Sequence, residues 1–491
     1  MSTTAATTHA DPHHKRRWAI LAVLGLAQLM VVLDATIVNI ALPSAQSDLG
    51  FSDANRQWII TAYALAFGSL LLFGGRLSDL LGRKRVFIGG LIGFAAASAL
   101  GGLAQDFTVL VTARALQGVF GALLAPAALS LLTTTFTEPE ERGKAFGIYG
   151  AIAGGGGALG LLLGGVLTEY LSWRWCLWVN LVLAVPAAIA AVVLLVQSRR
   201  GSAHLDLPGT ITSVLGLLSL VYGFSKAQTD GWTAGVTIAL LIAAVVLLAI
   251  FVIIETRVKH PLLPMRVVLN RNRGGSYLGL TLASMALFGV FLFLTYYLQT
   301  TLGYSPIETG LAFLPMIGAI MLTATTSTAL LLPRIGARIP ITIGLFLGAI
   351  GMVLFTQLGV DTAYVTHVLP GLIVTGLGLG LVFAISFEVG TMGVDANDAG
   401  VASAMVNTTQ QIGGSIGTAL LSTIFATAVA SFLVDAGDPS TPAAQAQAAV
   451  HGYSVAFWWS ALIFLVAAVA CGALLTSEIP DHDPDTPTVA A

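Results

Sequence analysis

Residues 18–43 read WAILAVLGLAQLMVVLDATIVNIALP, an uninterrupted apolar run with one ionisable side chain, Asp34. About 20 such residues cross the hydrocarbon core of a bilayer as a helix. The run is too long for a signal-peptide core and has no small-residue cleavage pattern after it, so it reads as a retained anchor. A carboxylate within a span costs at least ~2.5 kcal/mol, which makes it a candidate for work on ions, protons or substrate.

The rest of the chain continues in the same style. Its 491 residues are 56% hydrophobic and 9% charged, with a mean hydropathy of +0.88, against about 25% charged residues in soluble domains. This is the composition of an all-α polytopic membrane protein. A net charge of -2 gives no field to attract nucleic acid. The two cysteines, Cys176 and Cys471, lie in apolar stretches and read as small buried hydrophobes. His9, His13 and His14 sit in a polar N-terminal tail with nothing to impose a ligand geometry, so no metal site is expected.

Runs long enough to span begin near Trp18, Gln57, Val86, Phe107, Lys144, Trp175, Leu207, Ala234, Ser276, Glu308, Ile339, Val365, Gly400 and Tyr453, which predicts fourteen spans. An even count places both termini on one side. Of the 22 Lys and Arg residues, eighteen then fall on the side of the termini. Three, Arg56, Arg174 and Lys226, fall on the other, and Arg114 lies inside a span. Lys and Arg are enriched in cytoplasmic loops, so both termini are expected in the cytoplasm and the protein in the cell membrane.

A repeat is also visible. GGRLSDLLGRKRV (74–86) follows the second span and LPRIGARIP (332–340) follows the tenth; GGGGALGLLLGG (154–165) and QQIGGSIGTA (410–419) occupy spans five and thirteen. Both pairs are eight spans apart. The implied layout is a tail (1–17), six spans (18–200), two inserted spans (201–260), six spans (261–477) and a tail (478–491). Repeated halves around a midplane site are the architecture of secondary transporters.

Four stretches resemble the major facilitator superfamily, and within it the fourteen-span drug:proton antiporters, over nearly the whole chain. LDATIVNIALP (33–43) is similar to that family's first-span motif. GRLSDLLGRKR (75–85) resembles the superfamily's signature loop through Gly75, Asp79, Gly82, Arg83 and Lys84, with Leu80 where a basic residue is usual. RALQGVFGALLAP (114–126) resembles the fourth-span motif through Arg114, Gln117 and Gly118, with Phe120 where Gly is commoner. GALGLLLGG (157–165), with the preceding Gly156, resembles the fifth-span antiporter motif at Gly156, Gly160, Gly164 and Gly165, with Leu161 in place of the usual Pro. The resemblance implies two six-helix bundles with two inserted helices. It further implies a monomer that exports small amphipathic molecules by alternating access, with protons as coupling ion and no other cofactor.

Each motif also has a direct physical reading. Gly156, Gly160 and Gly164 form a smooth stripe for close helix packing, and the resemblance implies that their span packs against the opposite half. Arg83, Lys84 and Arg85 suit either a switch or simple anchoring to anionic headgroups. Asp79, by the resemblance, faces the start of span thirteen near Asn397 to Val401, where helix N-H groups and the dipole favour an anion by about 0.3–2 kcal/mol. At about 1.5 Å per residue, Asp34 and Arg114 lie at a common depth below the outer surface. A buried carboxyl takes up a proton readily and a neighbouring guanidinium discourages it, so a pair whose separation changes with conformation can bind and release a proton. The competing reading is a static ion pair.

Glu388 is a second candidate acid, near the inner mouth, where a solvated headgroup residue is the alternative. Asn39, Tyr63, Gln117, Tyr296, Asn407, Gln410 and Gln411 are candidates to line a substrate cavity. Asn180 and Gln299 are further intramembrane polar groups. The inserted spans show no intramembrane acid or base and read as a lipid-facing spacer. An enzyme is disfavoured by the lack of HExxH, GxSxG or a His-acid cluster, a channel by the lack of a filter-like repeat, and ATP-driven pumping by the lack of GxxxxGK[ST]. Export of a single endogenous metabolite or self-made natural product is the alternative function.

Overall fold

The computed structural model describes residues 16–51, 53–196, 206–259, 261–395, 398–435 and 440–477, and among these every regular element is helical. The three N-terminal histidines, Arg199, Arg200 and Asn397 lie outside the described residues. Thirteen helices are long and apolar enough to cross a membrane, and a fourteenth crossing is bent by 46° between Gly157 and Leu159. Numbered in chain order, spans 1–6 are the helices Arg17–Leu49, Asp53–Leu81, Arg83–Gly102, Phe107–Thr135, Pro139–Tyr170 and Trp175–Leu194. Spans 7 and 8 are Leu207–Asp230 and Gly235–Glu255. Spans 9–14 are Arg271–Thr301, Ile307–Ile335, Arg338–Phe355, Tyr364–Thr391, Ala399–Asp435 and Pro442–Leu474.

Local chemistry sets the helix ends. Asp106 caps span 4 through the Val109 N-H, Asp206 caps span 7 through Gly209, and Thr441 caps span 14 through Ala444. Each satisfies an amide that the first helical turn leaves without a partner. Gly82, at φ 93°, ends span 2 and turns the chain into span 3, a conformation that residues bearing a Cβ rarely adopt.

The repeat appears in the packing. In the first half span 1 packs on spans 5 and 6, span 4 on spans 2 and 3, and span 3 on span 6. In the second half span 9 packs on spans 13 and 14, span 12 on spans 10 and 11, and span 11 on span 14. These are the same contacts shifted by eight spans. The halves meet where span 5 packs on spans 10 and 12, and span 13 on spans 2 and 4. Spans 7 and 8 pair with each other, and span 7 leans on spans 2 and 13.

The backbones of the two halves differ. Wider, five-residue π-helical stretches interrupt span 9 at Val290–Leu294 and Tyr297–Thr301, span 10 at Ser327–Leu331 and span 12 at Tyr364–Val368. Among the described residues, spans 1–6 contain none.

Candidate functional site

Span 1 brings Asp34 into the interior of the first half, where it is fully buried. Arg114 of span 4 donates to Asp34 Oδ2 at 2.5 Å, while Gln117 Nε2 and Asn180 Nδ2 donate to Oδ1 at 2.9 and 2.7 Å. Arg114 also donates from Nε to the Ile59 carbonyl and from Nη1 to Gln117 Oε1. Its guanidinium lies 4.5 Å from the centre of the Tyr63 ring. Gln117 and Asn180 both donate to Ser98 Oγ as well. Burying two charges costs several kcal/mol unless their hydrogen-bonding capacity is met, and here three donors from spans 4 and 6 converge on one carboxylate. The guanidinium is held by hydrogen bonds and by the electron-rich face of an aromatic ring.

This geometry places three of the expected polar residues around Asp34. Gln117 and Tyr63, expected at a substrate cavity, belong to the Asp34 cluster and are buried. Asn180, one polar side chain in the otherwise apolar stretch WCLWVNLVLAV (175–185), is a direct partner of the acid. Ser98 gave no signal in sequence.

The second cluster lies on the side carrying Arg17, here the basic side. Asp79 Oδ1 accepts from the Gly400 N-H of span 13 at 3.1 Å, and Arg83 approaches the same oxygen at 3.5 Å. A Cβ at Gly75 would stand 2.5 Å from the Gly400 carbonyl oxygen, and one at Gly400 2.4 Å from that of Gly75. Only glycine lets the two backbones touch in this way. Arg76 lies 3.9 Å from Asp398, whose other carboxylate oxygen accepts from Arg266. Lys84 faces elsewhere: it donates to the Val192 and Leu195 carbonyls at 2.8 and 2.5 Å and so closes the end of span 6 within the first half. A cation there complements a helix C-terminus, so Lys84 does not bridge the halves. Arg83 is buried, which removes it as a headgroup anchor.

Glu388 is buried on span 12 and lies 3.7 Å from Arg142 of span 5. The solvated headgroup reading therefore fails, because the carboxylate is shielded by the opposite half. Thr328 of span 10 donates to the Gly143 carbonyl of span 5. With the Asp79–Gly400 contact, these interactions close the basic side between the halves.

Span 5 packs against the opposite half as expected, and its glycines divide between two neighbours. The stripe Gly156, Gly160 and Gly164 faces span 1: added Cβ atoms would meet Val32, Thr36 with the Leu33 backbone, and Ile37. Gly165 is buried in the same stretch. The glycines that face the opposite half lie earlier on the span. Gly143 and Gly147 meet the span 10 backbone at Thr328 and Ala324, Gly150 meets Ala384 of span 12, and Gly154 meets Ile320. The motif thus belongs to packing inside one half, and the inter-half seam lies on a second glycine row.

The remaining cavity candidates are scattered. Asn39 and Tyr296 are exposed, Asn407 is buried with its amide bonded to the Ser403 carbonyl, Gln410 bonds to the Val406 carbonyl, and Gln411 sits beside Gly68 of span 2. Gln299 is half-buried. An open groove of about 380 Å³ between spans 13 and 14, lined by Thr423, Thr427, Ser431, His451 and Trp459, contains none of them.

Residues 24–418 match the family model described as Major Facilitator Superfamily. The chain is a member of the major facilitator superfamily. Within the superfamily it is similar to the puromycin resistance protein pur8 of Streptomyces alboniger, with 50% identity over 482 residues that cover 98% of this chain and 95% of that protein. It is 38% identical over 465 residues to the cephamycin export protein CmcT of Amycolatopsis lactamdurans, covering 94% and 92% of the two chains. The crystal structure of the human organic anion transporter MFSD10 (TETRAN) shares the fold, with a TM-score of 0.62 at 15% identity, covering 93% of this chain and 99% of that one. This superfamily member is therefore an integral membrane transporter related to antibiotic exporters, and not an enzyme.

Proposed function

We propose that this transporter expels small amphipathic antibiotics or drugs across the cell membrane in exchange for protons, by alternating access, with both termini in the cytoplasm. The observation that carries the coupling is the buried Asp34–Arg114 pair with Gln117 and Asn180 around it. One carboxylate held by three donors has a proton affinity that depends on how closely those donors approach, and the donors come from spans other than its own. Rocking of the halves that loosens Arg114 from Asp34 would favour proton uptake, and restoring the contact would favour release. The basic-side contacts at Asp79–Gly400 and Arg142–Glu388 act as the lock on the closed cytoplasmic side, with Gly75, Gly82 and Arg83 shaping the first of them.

The names of the relatives favour natural-product antibiotics as the substrate class, and puromycin is the first compound to test because that relative shares half of its residues with this chain over almost its full length. Export of a single self-made compound is the narrower form of the same reading. The test uses purified protein in proteoliposomes under an imposed pH gradient. Wild type should move puromycin or a related antibiotic with counterflow of protons, and Asp34→Asn should remove gradient-driven transport while the protein still inserts. Gradient-driven transport at the wild-type rate in Asp34→Asn would overturn the role of Asp34.

A further inference from the structure

The inserted spans were expected to carry no acid within the membrane, and two acids stand at their basic-side ends. Asp206 precedes span 7, Glu255 closes span 8, and both are buried. Each carboxylate has one oxygen in use: Asp206 Oδ1 accepts from the Gly209 N-H at 3.0 Å, and Glu255 Oε2 accepts from the Leu263 N-H at 2.9 Å. The other two oxygens, Asp206 Oδ2 and Glu255 Oε1, are buried without a hydrogen-bond partner among the described residues. They flank the same glycine, because a Cβ on Gly209 would stand 2.3 Å from the first and 2.5 Å from the second. The two oxygens therefore lie no more than about 4.8 Å apart.

Two carboxylates this close in an apolar site repel each other when both are charged. Leu263, whose amide holds Glu255, and Phe251, one turn before it, belong to a buried apolar cluster with Leu72, Leu217, Leu262, Val401 and Ala404. That cluster joins span 2, both inserted spans, the linker to the second half and the start of span 13. Among the described residues, the charged groups facing the pair are few. From span 2, Arg76 is within electrostatic reach of Glu255 and also lies 3.9 Å from Asp398. Asp79 and Arg83 stand at the same end of span 2. From the linker, Arg266 is occupied by Asp398 and Asp395, and Arg257 and Lys259 are exposed.

We propose that Asp206 and Glu255 form a second proton-binding site, distinct from Asp34, in which one proton is shared between the two carboxylates. Its occupancy sets how strongly Arg76 is held on Asp398. With the proton bound, the pair carries one negative charge and Arg76 remains with Asp398 across the closed basic side. Loss of the proton adds a second charge, draws Arg76 toward Glu255 and loosens the hold of the first half on span 13. The inserted spans then act as a proton-sensitive brace. The site stands on its own geometry; its effect on Arg76 rests on the reading of these contacts as the cytoplasmic lock.

Infrared spectroscopy of purified full-length protein tests the site directly. Wild type should show a protonated-carboxyl band at neutral pH that fades as pH rises. The same band should persist in Asp34→Asn and be lost in Asp206→Asn/Glu255→Gln. Each of these two replacements nearly preserves shape and keeps a carbonyl acceptor for the capped amide. Wild-type protein that shows no alkaline fading, or a double variant with an unchanged carboxyl region, would overturn the proposal. The link to Arg76 is read from maleimide labelling of a Ser403→Cys reporter, whose parent side chain is buried at the start of span 13. Labelling should rise with pH in the otherwise wild-type protein and lose that rise in Glu255→Gln. Retention of the rise in Glu255→Gln, with the band lost, would overturn the coupling to the lock. Because Asp34→Asn serves as the control, failure of this site and failure of the Asp34 reading give different results.

Discussion

Gly75→Ala probes the basic-side closure without touching any charge. Its added carbon would stand 2.5 Å from the Gly400 carbonyl oxygen and 2.6 Å from Ala404 Cβ, whereas ordinary contacts begin near 3.4 Å. The two backbones must therefore separate locally by about 1 Å, and overpacking of this kind costs roughly 1–3 kcal/mol. The penalty falls only on conformations in which spans 2 and 13 touch, so the ratio of closed to open basic side should drop by about 5- to 150-fold. The assay replaces the buried Cys176 and Cys471 with Ala, introduces Ser403→Cys and follows its labelling by a membrane-impermeant maleimide from the basic side. Labelling should accelerate, and transport should slow because one of the two alternating states is depleted. Normal expression with labelling no faster than in the Gly75 parent would refute the idea that this contact sets the conformational balance.

Asp79→Asn keeps an acceptor for the Gly400 amide but removes the charge, worth about 0.3–2 kcal/mol at a helix N-terminus; the same reporter should label faster, by less than in Gly75→Ala, and unchanged labelling would sink that role. Arg114→Lys keeps the charge but loses the planar fork that reaches Asp34, Gln117 and Ile59 at once. Its transport should be partial, with an optimum moved to higher pH because more hydroxide is needed to strip the proton. Arg114→Ala should stall proton release, and any residual activity should move the same way; misfolding of the Ala variant would instead favour a purely structural pair. Gly147→Ala pushes a methyl to 2.8 Å from the Ala324 carbonyl across the inter-half seam, and Gly160→Ala pushes one to 2.9 Å from the Leu33 carbonyl inside the first half. The first should raise Ser403→Cys labelling, and the second should lower thermal stability with less change in labelling; the reverse pattern would show that the two glycine rows have been assigned to the wrong neighbours.

The contrast between those rows shows what a sequence of spans reveals. Hydrophobic length and Lys/Arg bias report position along the membrane normal, which is why the number of crossings and the shared depth of Asp34 and Arg114 were legible. They do not report which way a residue faces around its helix. A glycine stripe has no side chain to betray its neighbour, so Gly156, Gly160 and Gly164 could not be told from a row facing the other half. Asn180 could be seen as an oddity, but its bond to Asp34 requires spans 1 and 6 to be adjacent. Arg142 read as a loop cation because its partner Glu388 is 246 positions away. Glu255 was hidden by its place at the end of a strongly aliphatic helix, where an acid ordinarily meets water.

The uneven distribution of π-helical turns has a mechanical consequence. π-Turns are among the places where helices kink, so a span interrupted by them is expected to bend there more readily than a continuous α-helix. Spans 9, 10 and 12 contain such turns, whereas the described parts of spans 1–6 do not. When the two halves rock, elastic deformation should concentrate in the second, while the change at Asp34 stays a small side-chain displacement within the stiffer first half. Amide exchange with deuterium should therefore be faster along 290–301 than along the uninterrupted helix that carries Arg114, so that compliance and proton chemistry are housed in different halves of the molecule.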